Sequence, residues 1–300
     1  MGTTPPSYVT RDDLANLKPG HPTLVAIDSD GCVFDTMEIK QKQCFFPEII
    51  RHWRLEAIAD QVREVAAFVN LYSTFRGSNR FKGLVLTFDF LCERADTASA
   101  EVVLPSMESL RVFVASGRPL SNASLEIEAE RTGDAELQSV LAWSLAVNES
   151  VARTVQGVQP FDGVRAALDR MATSSDLIVV SQTPEEALVR EWDENDIRTY
   201  AKVIAGQELG TKAEHLHLAC DGKYEAGRVL MIGDALGDRM AAEAIGAQFY
   251  PINPGDEERS WKRLVDQVYA LFLSGDYGGD VEAAYIREFD ALLPETPPWA

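Results

Sequence analysis

Cysteine is scarce in this chain of 300 residues: Cys32, Cys44, Cys92 and Cys220 are scattered, without a CxxC pair or the His spacing of a metal finger. That pattern suggests neither a zinc site nor a disulfide framework, and a reduced, cytoplasmic setting is expected. Basic residues are also short. Lys and Arg number 28 against 47 Asp and Glu, a formal charge of −19, which argues against nucleic acid or an anionic membrane surface as a partner. An anionic ligand would have to be attracted locally, by a metal or a few placed cations. No apolar run approaches the length of a membrane span, and residues 1–20 are polar rather than basic-then-apolar as in a signal peptide. A soluble, intracellular chain is expected, and no internal repeat or low-complexity segment is found.

Against these absences, 46% of the residues are apolar, enough for a substantial core and, at this length, for two domains. From residue 156 onward, helix-like and strand-like segments alternate at short intervals, which marks βαβ units and a mostly parallel sheet. The strand candidates are 176–181, 201–205, 228–232 and 247–252. Helices are expected from 163 to 171, from Pro184 to about 195, over 211–219 and over 235–246, with two more around a Gly-rich turn at 274–279. Residues 36–155 lack this rhythm and carry long stretches of helical spacing, such as 47–75 and 134–155. The expected organisation is an α/β domain of residues 1–35 and 156–300, its first strand followed by a mostly helical insert over 36–155.

Candidate chemistry gathers where strands end. Leu24-Val25-Ala26-Ile27 reads as a buried strand, and it runs directly into Asp28-Ser29-Asp30-Gly31, delivering two carboxylates to the edge of a parallel sheet where ligands bind. Ser181 follows a second such run, Lys212 opens a helix, and Gly233-Asp234-Ala235-Leu236-Gly237-Asp238 follows a third run. Each has an ordinary reading: an Asx turn, a helix cap, a solvated lysine, a polar turn.

The set in this order resembles the haloacid dehalogenase-like (HAD) hydrolase superfamily, and in particular its phosphatase branch with a helical type-1 cap, phosphoglycolate phosphatases among them. The resemblance covers roughly residues 24–252, the Phe161-Asp162-Gly163-Val164 helix start included. It implies a Rossmann-like core bearing a cap domain, and a Mg²⁺-dependent phosphatase acting on a small phosphorylated metabolite. By that likeness Asp28 is the nucleophile that forms an aspartyl-phosphate, and Asp30 is the general acid and base. Ser181 and Lys212 would bind the phosphoryl oxygens. Mg²⁺ would be held by Asp28, the backbone carbonyl of Asp30 and Asp234, with Asp238 orienting a metal-bound water or Lys212. Asp30 argues against dehalogenase and phosphonatase chemistry, whereas a phosphomutase and a non-catalytic binding protein of the same fold stay open. Cys32 stands where the family often has Thr, and is read as a structural variation rather than a reactive thiol.

Within the insert, residues 73–83 concentrate cations and read as a loop. Arg76, Arg80 or Lys82 would pair there with a second anionic group of the substrate, the alternative being a solvated connection. The segment 116–119 reads as a plain helix connection, and Trp53 and Trp143 as core.

Overall fold

The computed structural model describes residues 9–98, 102–225 and 227–299; the first eight residues of the segment read for a targeting pattern lie outside these. The chain forms two compact units. One draws its described residues from Met1–Thr36 and Gly157–Leu292, the other from Met37–Gln156 and Leu293–Ala300.

The first unit is built on a five-stranded sheet of β1 (Leu24–Ile27), β2 (Asp176–Val180), β3 (Val203–Ala205), β4 (Val229–Gly233) and β5 (Gln248–Pro251). All pairings are parallel, in the order β3-β2-β1-β4-β5. A parallel sheet needs both faces covered, which is why β1, β2 and β4 are apolar along almost their whole length and buried at every residue. The one acid within these strands, Asp176, opens β2 at the opposite end from the site. It accepts hydrogen bonds from the Gly20 and His21 amides and the Tyr224 hydroxyl, and pairs with Lys202 at 2.6 Å. β3 is shorter than expected because Arg198–Tyr200 forms a 3-10 turn that delays its start.

Helices over Val164–Met171, Glu185–Glu194, Lys212–Cys220 and Leu236–Ala244 follow the alternating pattern. Trp192, Trp261, Tyr250 and Phe272 fill the core beside the sheet. The stretch that leaves this unit and the one that returns to it lie side by side: Phe34 bridges Pro160, and the Phe161 amide donates to the Val33 carbonyl at 2.9 Å.

The second unit is helical, with its main helices over Phe46–Trp53, Ala59–Leu71, Arg80–Glu93, Glu108–Ala115, Asn122–Thr132 and Ala135–Thr154. Trp143 is buried in its core, with Trp53 tilted against it at 5.9 Å. Residues 116–119 connect two helices. One expectation is corrected here: the cationic segment is not a loop throughout, because Asn79 accepts from the Phe81 amide and caps a helix that begins at Arg80. Gly83 lies inside that helix where a Cβ would sit 2.6 Å from the Asn70 amide oxygen, so the small residue serves helix approach rather than a turn. The chain's last residues also group differently from the expected 156–300 domain. Trp299 packs edge-on to Phe68 at 5.4 Å, under the Arg94 guanidinium, and so joins the helical unit.

Candidate active site

Strand register decides which side chains meet. Ile27 of β1 lies level with Val179 of β2 and Ile232 of β4, so Asp28, one residue onward, and Ser181 and Asp234, each two onward, emerge from the same edge of the sheet. The Asp28 amide donates to the Ile232 carbonyl at 2.9 Å and the Ser181 amide to Ala205 at 3.0 Å, carrying the strand bonding past the last apolar residue. Asp28, Ser181, Asp234 and Asp238 are buried, each at most 3% exposed.

Lys212 is the cation of the group. It heads the helix Lys212–Cys220, whose start is fixed by a capping box between Thr211 and Glu214. Its Nζ lies 2.7 Å from Asp28 Oδ2 and 2.5 Å from Asp238 Oδ1. The other oxygen of Asp238, Oδ2, accepts from the Asp234 and Ala235 amides at 3.2 and 3.0 Å and so holds the turn that aims Asp234. Gly233 is required for this packing, because a Cβ there would lie 2.3 Å from the Asp238 carboxyl carbon.

Charge is concentrated in this pocket. Three carboxylates, Asp28, Asp234 and Asp238, can place one oxygen each within 4.8 Å of one another, and the Lys212 ammonium contacts two of them, Asp28 and Asp238. Burial pushes the Asp28 carboxyl up to about 6, with Lys212 pulling it back and Asp238 adding to the rise. For Lys212, burial alone would depress the ammonium, but Asp238 and Asp28 outweigh it and hold the charge well above the ordinary lysine range. Burial, then Asp234 and Asp28, drive the nearby Cys32 thiol upward, the reverse of what a reactive thiolate needs. Three clustered hard oxygen donors suit a divalent cation such as Mg²⁺. Both oxygens of Asp238 are already engaged, one by Lys212 and the other by two amides.

The Asp30 side chain is separate from these three acids, as a general acid rather than a carboxylate ligand would be; the expected ligand there is its backbone carbonyl. Its carboxylate lies outside the three-acid cluster and accepts the Thr36 hydroxyl at 2.5 Å. The Ser181 hydroxyl accepts from the Thr183 amide at 3.3 Å. Arg76 and Arg80 belong to the helical unit. Arg76 is buried and donates to the Leu71 carbonyl at 2.9 Å, and Arg80 is bonded to Ser144 and Asn148.

Two residues escaped the sequence reading. Thr36, six positions beyond Asp30, showed no signal apart from being a hydroxyl near a helix start. Trp192, whose indole donates to the Ser29 hydroxyl at 3.0 Å, has the pattern of any core aromatic.

Residues 87–252, more than half of the chain, match the haloacid dehalogenase-like hydrolase family, and the chain belongs to that family. The match takes in Ser181, Lys212, Asp234 and Asp238; Asp28 and Asp30 precede it. Among solved structures, a candidate haloacid dehalogenase-like hydrolase from Bacteroides fragilis is 14% identical, with a TM-score of 0.51 over 79% of this chain and 92% of that one. A candidate phosphoglycolate phosphatase from Lactobacillus delbrueckii subsp. bulgaricus is 17% identical, with a TM-score of 0.49 over 85% and 98%. At such identities a likeness speaks to the fold alone. No curated protein sequence matches the chain. No helix among the described residues is long and apolar enough to cross a membrane.

Proposed function

We propose that this hydrolase is a phosphatase acting on a small phosphorylated metabolite. The observation that carries the reading is the Asp28 carboxylate, buried at the end of β1 and paired with Lys212 beside two further acids. An isolated buried carboxylate would shed its charge by protonation; here Lys212 keeps a fraction of it ionised, as a nucleophile requires.

In this reading an Asp28 oxygen attacks phosphorus, the bond from phosphorus to the ester oxygen breaks, and Asp30 gives its proton to the departing alkoxide. Asp30 then takes a proton from water as the water oxygen attacks the aspartyl-phosphate, which releases inorganic phosphate and regenerates both acids. The hydroxyl of Thr36 fixes the Asp30 carboxylate for both transfers. Ser181 and Lys212 hold the phosphoryl oxygens, and Lys212 offsets the charge of Asp28. Asp28 and Asp234 would hold a divalent cation, Mg²⁺ by the chemistry of the donors, with Asp238 behind them. Such an ion supplies charge neutralisation between carboxylates and phosphate.

The test is release of inorganic phosphate from a panel of phosphorylated metabolites, with Mg²⁺ and with chelator, beside Asp28→Asn. Phosphate release that needs both Mg²⁺ and Asp28 supports the reading. Isomerised sugar phosphate with little free phosphate would replace it with a mutase, and inactivity throughout the panel would remove it.

A further inference from the structure

Arg80 is a half-buried cation to which the described residues of the helical unit supply no counter-charge. It occupies the first position of the helix Arg80–Glu93, with its guanidinium 5.1 Å from the ring centre of Phe45. All of its hydrogen bonds leave from one nitrogen: Nη1 donates to the Ser144 carbonyl at 3.2 Å, the Ser144 hydroxyl at 2.9 Å and the Asn148 side-chain oxygen at 2.7 Å. Ser144 is held in turn by donating to Asn122 at 2.7 Å. These acceptors are neutral. Among the described residues no carboxylate lies within ion-pair distance of Arg80, and Nη2 and Nε have no acceptor. Other arginines of the same unit differ: Arg94 is paired with Glu64 and Asp96, and Arg111 with Asp89.

A chain with so large an excess of acids has had every opportunity to neutralise this guanidinium. It instead fixes the orientation through Nη1 and a ring face, leaving the Nε and Nη2 pair, the edge that grips an oxyanion with two parallel hydrogen bonds. Burial also draws the Arg80 pKa down to about 10, the effect expected where a cation lacks a partner.

We infer that Arg80 is an oxyanion receptor of the helical unit, taking a carboxylate or phosphate group of a small anion on its Nε–Nη2 edge. This stands on the helical unit alone and does not depend on the phosphatase reading.

The test uses the full chain, labelled with ¹⁵N and ¹³C, and follows the arginine Nε–Hε resonances, with Arg80 assigned through its own side-chain carbons. Malonate and inorganic phosphate are titrated separately at constant ionic strength. A saturable downfield shift of the Arg80 Hε, with Arg94 and Arg111 unmoved, supports the receptor. Response to malonate alone makes it a carboxylate site, and response to phosphate alone a phosphate site. In Asn148→Asp, a carboxylate beside Nη1 should weaken the binding roughly tenfold or more. If that variant does not fold, the wild-type titration decides unaided. An Arg80 resonance that ignores both anions, or drifts without saturation alongside Arg94, overturns the inference.

Discussion

The indole N–H of Trp192 donates to the hydroxyl of Ser29 at 3.0 Å, so a helix of the α/β unit grips the residue between Asp28 and Asp30. The Ser29 carbonyl meanwhile accepts from the amides of Cys32, Val33 and Phe34. One buried serine therefore ties the turn that sets both acids.

Trp192→Phe keeps an aromatic ring near Phe34 but strands the Ser29 hydroxyl. A loss of about 1–3 kcal/mol in denaturant unfolding is expected, with kcat falling while KM stays near its wild-type value. Adding Ser29→Ala removes the stranded group and should restore part of the stability. Simple additivity of the two changes in a double-mutant cycle would contradict the coupling.

Lys212→Met leaves Asp28 and Asp238 facing each other without their shared cation. In chelator the variant should be less stable by about 3–5 kcal/mol, and Mg²⁺ should recover more of its stability than it adds to wild type. Turnover should fall roughly 10²- to 10³-fold or more, measured as phosphate release. Retention of activity within a few-fold would deny Lys212 its place at the reaction.

The Asp28 carboxyl titrates at about 6 in the fold against an ordinary value of 3.8. The folded chain therefore holds this proton more tightly than the unfolded one. Its contribution to stability is complete below about pH 4 and is lost as pH rises through 6, about 3 kcal/mol in all. In chelator, Asp28→Asn should match wild type in melting temperature near pH 4 and exceed it above pH 6. Mg²⁺ should narrow the difference. A gap that does not change with pH would reject the charge-crowding account.

His215 has the opposite sign. It is buried, and neither ring nitrogen has a hydrogen-bond partner among the described residues; burial draws its pKa from 6.5 down to about 4. The neutral ring contributes stability in full above pH 6.5, and this is lost as pH falls toward 4. His215→Leu should therefore flatten the acid limb of the melting curve over that window, while wild type loses about 3 kcal/mol there. Parallel acid limbs in the two proteins would count against it.

Strand ends were readable from residue order because a parallel sheet demands continuous apolar runs, and whatever polar residue follows such a run must emerge at the ligand-binding edge. Asp28, Ser181 and Asp234 were placed at that edge on this ground, and Lys212 by its position at a helix start. Contacts that depend on where a helix face lands left no trace in the order of residues. Trp192 could not be told from an ordinary core residue, nor Thr36 from an ordinary helix hydroxyl. The glycines around Arg80 resembled a loop because the reason for Gly83, the Asn70 side chain on another helix, is distant in sequence. Trp299 joined the helical unit for a similar reason, its partners Phe68 and Arg94 lying some two hundred residues earlier.

The pairing of Phe34 with Pro160 and of Phe161 with Val33 gives the long insertion a fixed pair of anchor points within the α/β unit. Loop-closure entropy grows only with the logarithm of length, by about 0.6 kcal/mol for each doubling. With its ends already pinned, an insertion of very different size would change the stability of the parallel sheet little. The helical unit is thus free to diversify in length and content while Asp28 and Asp234 keep their register.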